Sequence, residues 1–277
     1  TRIITFLRCN TKIFMYFYTM ASPVKAKKHL GQHFLTDLNI AQKIVNSLPK
    51  DDTPILEIGP GTGVITQYMI DKPQFRAFDI DEESIAFLKE KYPQYESKIH
   101  YQDFLEADLS PLANEGRFYL IGNFPYNIST QIMFKVLDHR NDITCVVGMF
   151  QKEVAQRIAE KPGSKTYGIL SVLLQAFYKI EYLFTVSEHV FNPPPKVKSA
   201  VIRLTRNETE KLNCDEELFF KVVKASFNQR RKTIRNSVKL LSSNSAINSL
   251  YLDKRAEQLS VSQFVELTNS VEEALKK

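Results

Sequence analysis

The segment Asn123-Phe124-Pro125-Tyr126 combines residue types that suit one unusual task. The exocyclic amine of adenine is a poor nucleophile because its lone pair is delocalised into the ring. The side-chain amide oxygen of Asn123 and the backbone carbonyl of Pro125 can each accept one of its N–H bonds. Those two bonds draw the amine toward tetrahedral geometry and aim its lone pair at an electrophilic methyl group. Tyr126 adds a π-face on which such a base stacks. By itself the tetrapeptide also reads as an ordinary turn after a strand, so its meaning depends on what stands upstream.

Upstream stands Gly59-Pro60-Gly61-Thr62-Gly63. Glycines between a strand and a helix let the backbone approach a nucleotide closely, since no Cβ intervenes. The spacing is Gly-x-Gly-x-Gly, not the Gly-x-Gly-x-x-Gly that cradles a pyrophosphate. Asp79 falls 20 residues after Gly59, where an acid at the end of the next strand accepts from both ribose hydroxyls. Asp103 is placed one strand later to accept from an adenine amino group. Glycines and acids in this register point to a nucleoside-bearing cofactor.

The elements that must carry these residues alternate short apolar runs with helical ones. Strands are expected at residues 55–58, 75–80, 99–102, 118–121 and 143–149, each ending near an acid or amide. Helices are expected at 64–70 and 151–159. Strand, polar residue, helix, repeated, is an α/β parallel sheet with its ligand crevice at the strand carboxyl ends. The run 200–204 has no helix between it and the run 184–190, so it is expected to return as an antiparallel hairpin. After Arg206 the chain turns polar and then helical, giving a boundary near residue 208.

Charge is unevenly spread. The net charge is +6, yet residues 1–36 hold six Lys/Arg and residues 218–252 hold seven, with no acid in either zone, so the rest of the chain is net −7. Such asymmetry is the footprint of a polyanion partner, nucleic acid first. Lys224, Asn228, Arg231, Arg235 and Lys239 step by 4, 3, 4 and 4, which lines them on one face of a helix that continues through Gln229.

Other classes fall away. At 277 residues, 43% hydrophobic and 25% charged, the chain suits one large globular domain with a small appendage. No apolar run approaches the roughly 18 residues of a membrane span. Three cysteines without a Cys-x-x-Cys pair, and five scattered histidines, predict neither disulfides nor a metal site. The chain opens on Thr1, with Met15 and Met20 as candidate starts, so residues 1–24 are expected to be a disordered or non-native extension. A mitochondrial transit peptide is the alternative.

Five motifs in order then carry a resemblance covering residues 25–241. They are the segments 27–35 (KKHLGQHFL), 57–63 (EIGPGTG), 123–130 (NFPYNIST), 191–197 (FNPPPKV) and 227–236 (FNQRRKTIRN). Together they resemble the KsgA-type adenine-N6,N6-dimethyltransferases of small-subunit ribosomal RNA. The resemblance implies a Rossmann-like methyltransferase sheet over residues 25–207 and a basic helical RNA-binding domain over 208–277. It implies S-adenosyl-L-methionine as cofactor, contacted by His33, Leu35, Gly59, Gly61, Asp79, Asp103 and Asn123. Asn123, Pro125, Tyr126 and Phe191 would handle the target base, with Phe191 as the pocket's second wall. Lys27, Lys28, Lys196, Lys224, Arg230, Arg231, Lys232 and Arg235 would contact RNA. The implied reaction is dimethylation of two adjacent adenosines in a hairpin loop near the 3′ end of 16S rRNA, within a pre-assembled subunit, by a cytoplasmic monomer. Two positions depart from the family pattern: His33, where Asn is frequent, and Phe124, where Leu is common.

Three other readings compete with this one. A large-subunit adenine dimethyltransferase of the macrolide-resistance type is close, but the Pro193-Pro194-Pro195 run and Arg230-Arg231-Lys232 resemble the small-subunit enzymes more. A non-catalytic assembly or transcription factor on the same fold sits poorly with intact Asn123, Pro125 and Tyr126. A nicotinamide-dependent dehydrogenase is disfavoured by the glycine spacing and the basic tail.

Overall fold

The computed structural model describes residues 24–239, 241 and 247–276, so the expected extension at 1–24 lies almost wholly outside the described residues. Chain order is β1 (Phe34–Leu35), α1 (Leu38–Val45), β2 (Ile55–Ile58), β3 (Phe75–Asp79), α2 (Glu82–Lys91), β4 (Ile99–Tyr101), α3 (Ser110–Asn114), β5 (Phe118–Asn123), α4 (Ser129–Asp138), β6 (Ile143–Gln151), α5 (Lys152–Ala159), α6 (Ile169–Phe177), β7 (Tyr178–Val186), β8 (Phe191–Asn192), β9 (Ser199–Arg206), α7 (Glu216–Asn228), α8 (Ile234–Val238) and α9 (Val261–Leu275).

Seven strands form one sheet in the order β4-β3-β2-β5-β6-β9-β7. β9 runs antiparallel to both neighbours, and the other observed pairings are parallel. The expected α/β sheet with a reversed late strand is therefore what forms. Its antiparallel partner differs in extent: β7 begins at Tyr178 and ends at Val186, because Ser187 caps a short 3-10 turn over Glu188–Val190. The sheet is buried on both faces. Leu56, Ile58 and Leu120 point into one apolar cluster, Ile55 and Ile121 into the other, which is why these strands read as continuous apolar runs.

The expected helix at 64–70 is instead a set of tight turns around a 3-10 turn at Thr66–Tyr68. The segment has little room to propagate. Pro73 disfavours the helical region for Lys72, and Val64-Ile65-Thr66 is a β-branched run. The helices flanking the site have stronger start signals. Asp37 caps α1 by accepting from Ile40 N at 3.0 Å, and Asp81 caps α2, followed by Glu82 and Glu83 in its first turn and Lys89 and Lys91 in its last.

Beyond β9, the helices α7 and α9 pack their apolar faces onto α6, and α8 packs against α7. Phe219, Val222, Phe264 and Leu267 join the same buried cluster as Val172 and Phe177. The basic face does not lie on one continuous helix. α7 ends at Asn228 and α8 starts at Ile234, with turns between. Among the described residues no helix is long and apolar enough to cross a membrane.

Candidate functional site

The carboxyl ends of β2, β3, β4 and β5 open into a cleft, the place where an open α/β sheet binds its ligands. Most of the anticipated site residues meet there: His33, Gly59, Gly61, Asp79, Asp103, Asn123, Pro125 and Tyr126 all line it. Gln32, Ile80, Gln102 and Phe104 line it too and were missed. Ile80, Gln102 and Phe104 each flank an acid at a strand's end, so position alone was the available signal.

The glycine turn works as its composition suggests. Gly59, Gly61 and Gly63 have φ of +66°, +53° and +79°, a region costly for residues with a Cβ. Gly61 has a second reason: a Cβ there would stand 2.8 Å from the Phe34 ring. Its N–H donates to Asp79 Oδ2 at 3.2 Å, and Asp81 N donates to Asp79 Oδ1 at 3.0 Å. Burial nonetheless dominates and pushes the Asp79 carboxyl up to about 6. Just below the turn, the Glu57 side chain is buried, with its carboxyl raised by burial to about 8 and Oε2 without a hydrogen-bond partner among the described residues. A smaller cavity, lined by Glu57, Leu35, Gly59, Gly61 and Asn123, adjoins it. Leu35 therefore faces this side cavity and not the main cleft.

Asn123 ends β5. Its Nδ2 donates to the His33 carbonyl at 2.8 Å, which leaves Oδ1 as the acceptor. The Pro125 carbonyl accepts from Ile128 N at 3.2 Å and keeps a second lone pair. Tyr126 is half-buried, its hydroxyl 2.5 Å from Ser199 Oγ. Phe124 is fully buried and meets Phe150 edge-on at 5.2 Å. Its ring fits because Gly122 and Gly148 pair in register on β5 and β6: a Cβ on Gly148 would lie 2.4 Å from the ring. The larger side chain at this position thus has its own slot.

Phe191 does not form a cleft wall. It is 4% exposed and packs in the core with Leu35, Val186 and Val201. The reason is β-pairing: Phe191 sits opposite Leu35 in the β1–β8 ladder, which directs both side chains inward.

The expected RNA contacts divide. Lys28, Lys196, Lys224, Arg231 and Lys232 are exposed. Lys27 is already engaged, in an ion pair with the buried Asp81 and at 3.6 Å from Glu83. Arg230 donates to the carbonyls of Lys165 and Tyr167, the latter at 3.1 Å, and so clamps a loop. Arg235 pairs with Asp253 at 2.9 Å, an acid one residue beyond the acid-free stretch. His29 and His33 are four residues apart but share no helix, since Gly31 at φ +66° ends the turn between them.

Comparison with known proteins agrees with this geometry. A family model described as ribosomal RNA adenine dimethylase matches residues 24–273. The ribosomal RNA small subunit methyltransferase A of Bacteroides thetaiotaomicron is 58% identical over 257 residues, covering 91% of this chain and 96% of that protein. That of Cytophaga hutchinsonii is 60% identical over 251 residues, covering 89% and 97%. Two solved structures share the fold at 24% identity. One is a dimethyladenosine transferase from Plasmodium falciparum, with a TM-score of 0.72 and coverage of 87% of this chain and 98% of that one. The other is the 23S rRNA methyltransferase ErmE, with a TM-score of 0.62 and coverage of 86% and 99%. A cleft that assembles Gly59, Asp79, Asp103 and Asn123, inside a family match spanning nearly all the described residues, leaves one conclusion: the chain belongs to the ribosomal RNA adenine dimethylase family.

Proposed function

We propose that this chain transfers methyl groups from S-adenosylmethionine to N6 of adenosines in small-subunit rRNA, two to each target base. The observation that carries the reading is the Asn123 amide. With Nδ2 held by the His33 carbonyl at 2.8 Å, Oδ1 is the end left to accept from an amine in the cleft.

The cleft's residues fit the cofactor. Asp79 and Asp103 offer acceptors for ribose hydroxyls and the adenine amine, and the glycine turn removes the Cβ atoms that would block approach. The orphaned Glu57 Oε2 suits the cofactor's ammonium, whose charge would draw that carboxyl back to its ionised form. When bound, S-adenosylmethionine supplies an electrophilic methyl on a sulfonium.

The chain's own work is orientation. Asn123 Oδ1 and the free lone pair of the Pro125 carbonyl accept the two N–H bonds of the target amine and aim its lone pair. Tyr126 holds the extruded base by stacking. The amine becomes acidic only as the new bond forms, so no strong base is required, and neither Asn123 nor Pro125 can ionise. A monomethylated amine keeps one N–H for one acceptor, which permits the second transfer. The exposed Lys28, Lys196, Lys224, Arg231 and Lys232 hold RNA phosphates, and residues 208–277 contribute most of that surface.

Single-turnover methyl transfer at saturating cofactor tests the reading. Asn123→Ala should lower the rate about a hundredfold with RNA affinity nearly unchanged. A wild-type rate would reduce the motif to a turn.

A further inference from the structure

His33 stands where three parts of the cleft wall meet. Its carbonyl accepts from Asn123 Nδ2 at 2.8 Å. Its imidazole lies against the Tyr126 ring, with centroids 5.4 Å apart and planes at 30°. Its Nδ1 is 2.8 Å from the Pro193 carbonyl. A carbonyl oxygen only accepts, so Nδ1 carries the hydrogen and donates.

The backbone next to His33 is anchored independently of its side chain. Phe34 and Leu35 pair with Asn192 and Phe191, and Thr36 N donates to the Val190 carbonyl at 2.8 Å. The carbonyl that orients Asn123 is therefore held by the β1–β8 ladder, and the imidazole is free for another task.

That task is set by the geometry of Tyr126. Its hydroxyl is held 2.5 Å from Ser199 Oγ, but the phenolic oxygen lies on the axis about which the ring turns. The Ser199 bond therefore survives ring rotation and cannot fix the ring's plane, which only packing against a face can do. Among the described residues, the aromatic ring recorded against Tyr126 is the imidazole of His33.

We propose that the His33 side chain is a positioning residue for methyl transfer: braced by the Pro193 carbonyl, it sets the plane of the Tyr126 ring on which the target adenine stacks. The inference rests on the role proposed above for Tyr126. An asparagine amide is also planar, can lie flat on an aromatic ring and can donate to the Pro193 carbonyl, so it is the conservative replacement.

The test is single-turnover methyl transfer at saturating cofactor and RNA, with cofactor affinity measured separately by calorimetry. His33→Ala and His33→Leu, the second keeping bulk without a planar donor, should each lower the rate about tenfold. Because His33 also lines the cofactor cleft, saturation keeps any change in cofactor affinity out of the rate, and His33→Asn should recover the saturated rate to within about threefold. In a Tyr126→Leu background, His33→Ala should cost no more than about a further twofold, because the two act as a unit. A full additional loss in that background overturns the proposal, as does recovery of the His33→Ala rate on raising the cofactor concentration, or failure of His33→Asn to rescue. If Tyr126→Leu alone transfers methyl at the wild-type rate, the platform role of Tyr126 fails first, and this inference with it.

Discussion

Gln32 donates through Nε2 to Asp81 at 2.8 Å, tying the segment that lines the cleft to the first turn of α2. Asp81 is 1% exposed and also accepts from Ser84 Oγ at 2.9 Å and Glu83 N at 3.2 Å while pairing with Lys27. Burial alone would raise its carboxyl, but hydrogen bonds from Lys27, Gln32 and Ser84 outweigh it and leave the group below the usual carboxylate range. Asp81→Ala loses a helix cap and leaves Lys27 only Glu83 at 3.6 Å, and should destabilise the fold by about 1–2 kcal/mol. Cofactor affinity should also fall, because Gln32, His33 and Phe34 lose their tether. Denaturant unfolding checks the first expectation and calorimetry the second; a loss below about 1 kcal/mol would show the tether to be dispensable.

Asp79 has the opposite shift and a different pH signature. Its carboxyl is raised by burial from 3.8 to about 6. The folded state therefore binds this proton more tightly than the unfolded one, so the group's contribution to stability is fullest below 3.8 and is lost as pH rises through about 6. Cofactor binding runs the other way, since the ionised form is the better acceptor for two hydroxyls. Below pH 6 affinity should fall by about a further tenfold per unit on top of any dependence set by Glu57, and Asp79→Asn should bind weakly and lack that further fall. Titration calorimetry between pH 5 and 7.5 decides, and a wild-type profile parallel to that of Asp79→Asn would remove Asp79 from the cofactor site.

The slot beneath the Asn123-Phe124-Pro125-Tyr126 segment is equally open to test. Gly148→Ala would place a Cβ 2.4 Å from Phe124 and 2.6 Å from Phe150. Overpacking of this kind costs about 1–3 kcal/mol, and the displaced Phe124 adjoins both Asn123 and Pro125. Thermal unfolding should show the loss, and methyl transfer should fall with it. Adding Phe124→Leu should restore part of both; no recovery would mean the strain is relieved elsewhere.

For RNA, the residues of the basic segment should not behave alike. Arg231→Gln and Lys232→Gln should each flatten the log–log salt dependence of RNA binding by about 0.7–0.9. Arg235→Gln should change it less, because Asp253 already neutralises that guanidinium at 2.9 Å. Arg230→Gln should instead loosen the loop carrying Lys165 and Tyr167 and appear as lost stability. Equal slopes across all four variants would refute this division.

The parallel core was legible because strands buried on both faces, such as Ile55–Ile58 and Phe118–Asn123, must be apolar throughout and end where the backbone needs a polar residue. The glycine turn was legible because only glycine adopts three positive φ values in five residues without strain. The helix expected at 64–70 was misread because apolar spacing reports which side is buried, and the same spacing is met by tight turns when proline closes the segment.

By itself, then, the sequence determined which apolar runs are strands, that Asp79 and Asp103 stand at or just beyond strand ends, and that Asn123 closes another strand, all of which are read from residues near one another in the chain. Only the tertiary structure decided that Phe191 turns into the core opposite Leu35, that Lys27 is bound by Asp81, and that Arg230 clamps two carbonyls while Arg231 stays exposed. Those outcomes depend on which distant segment folds back against each side chain. The spacing of residues along a chain carries no record of that, because β-ladders and ion pairs are closed across space.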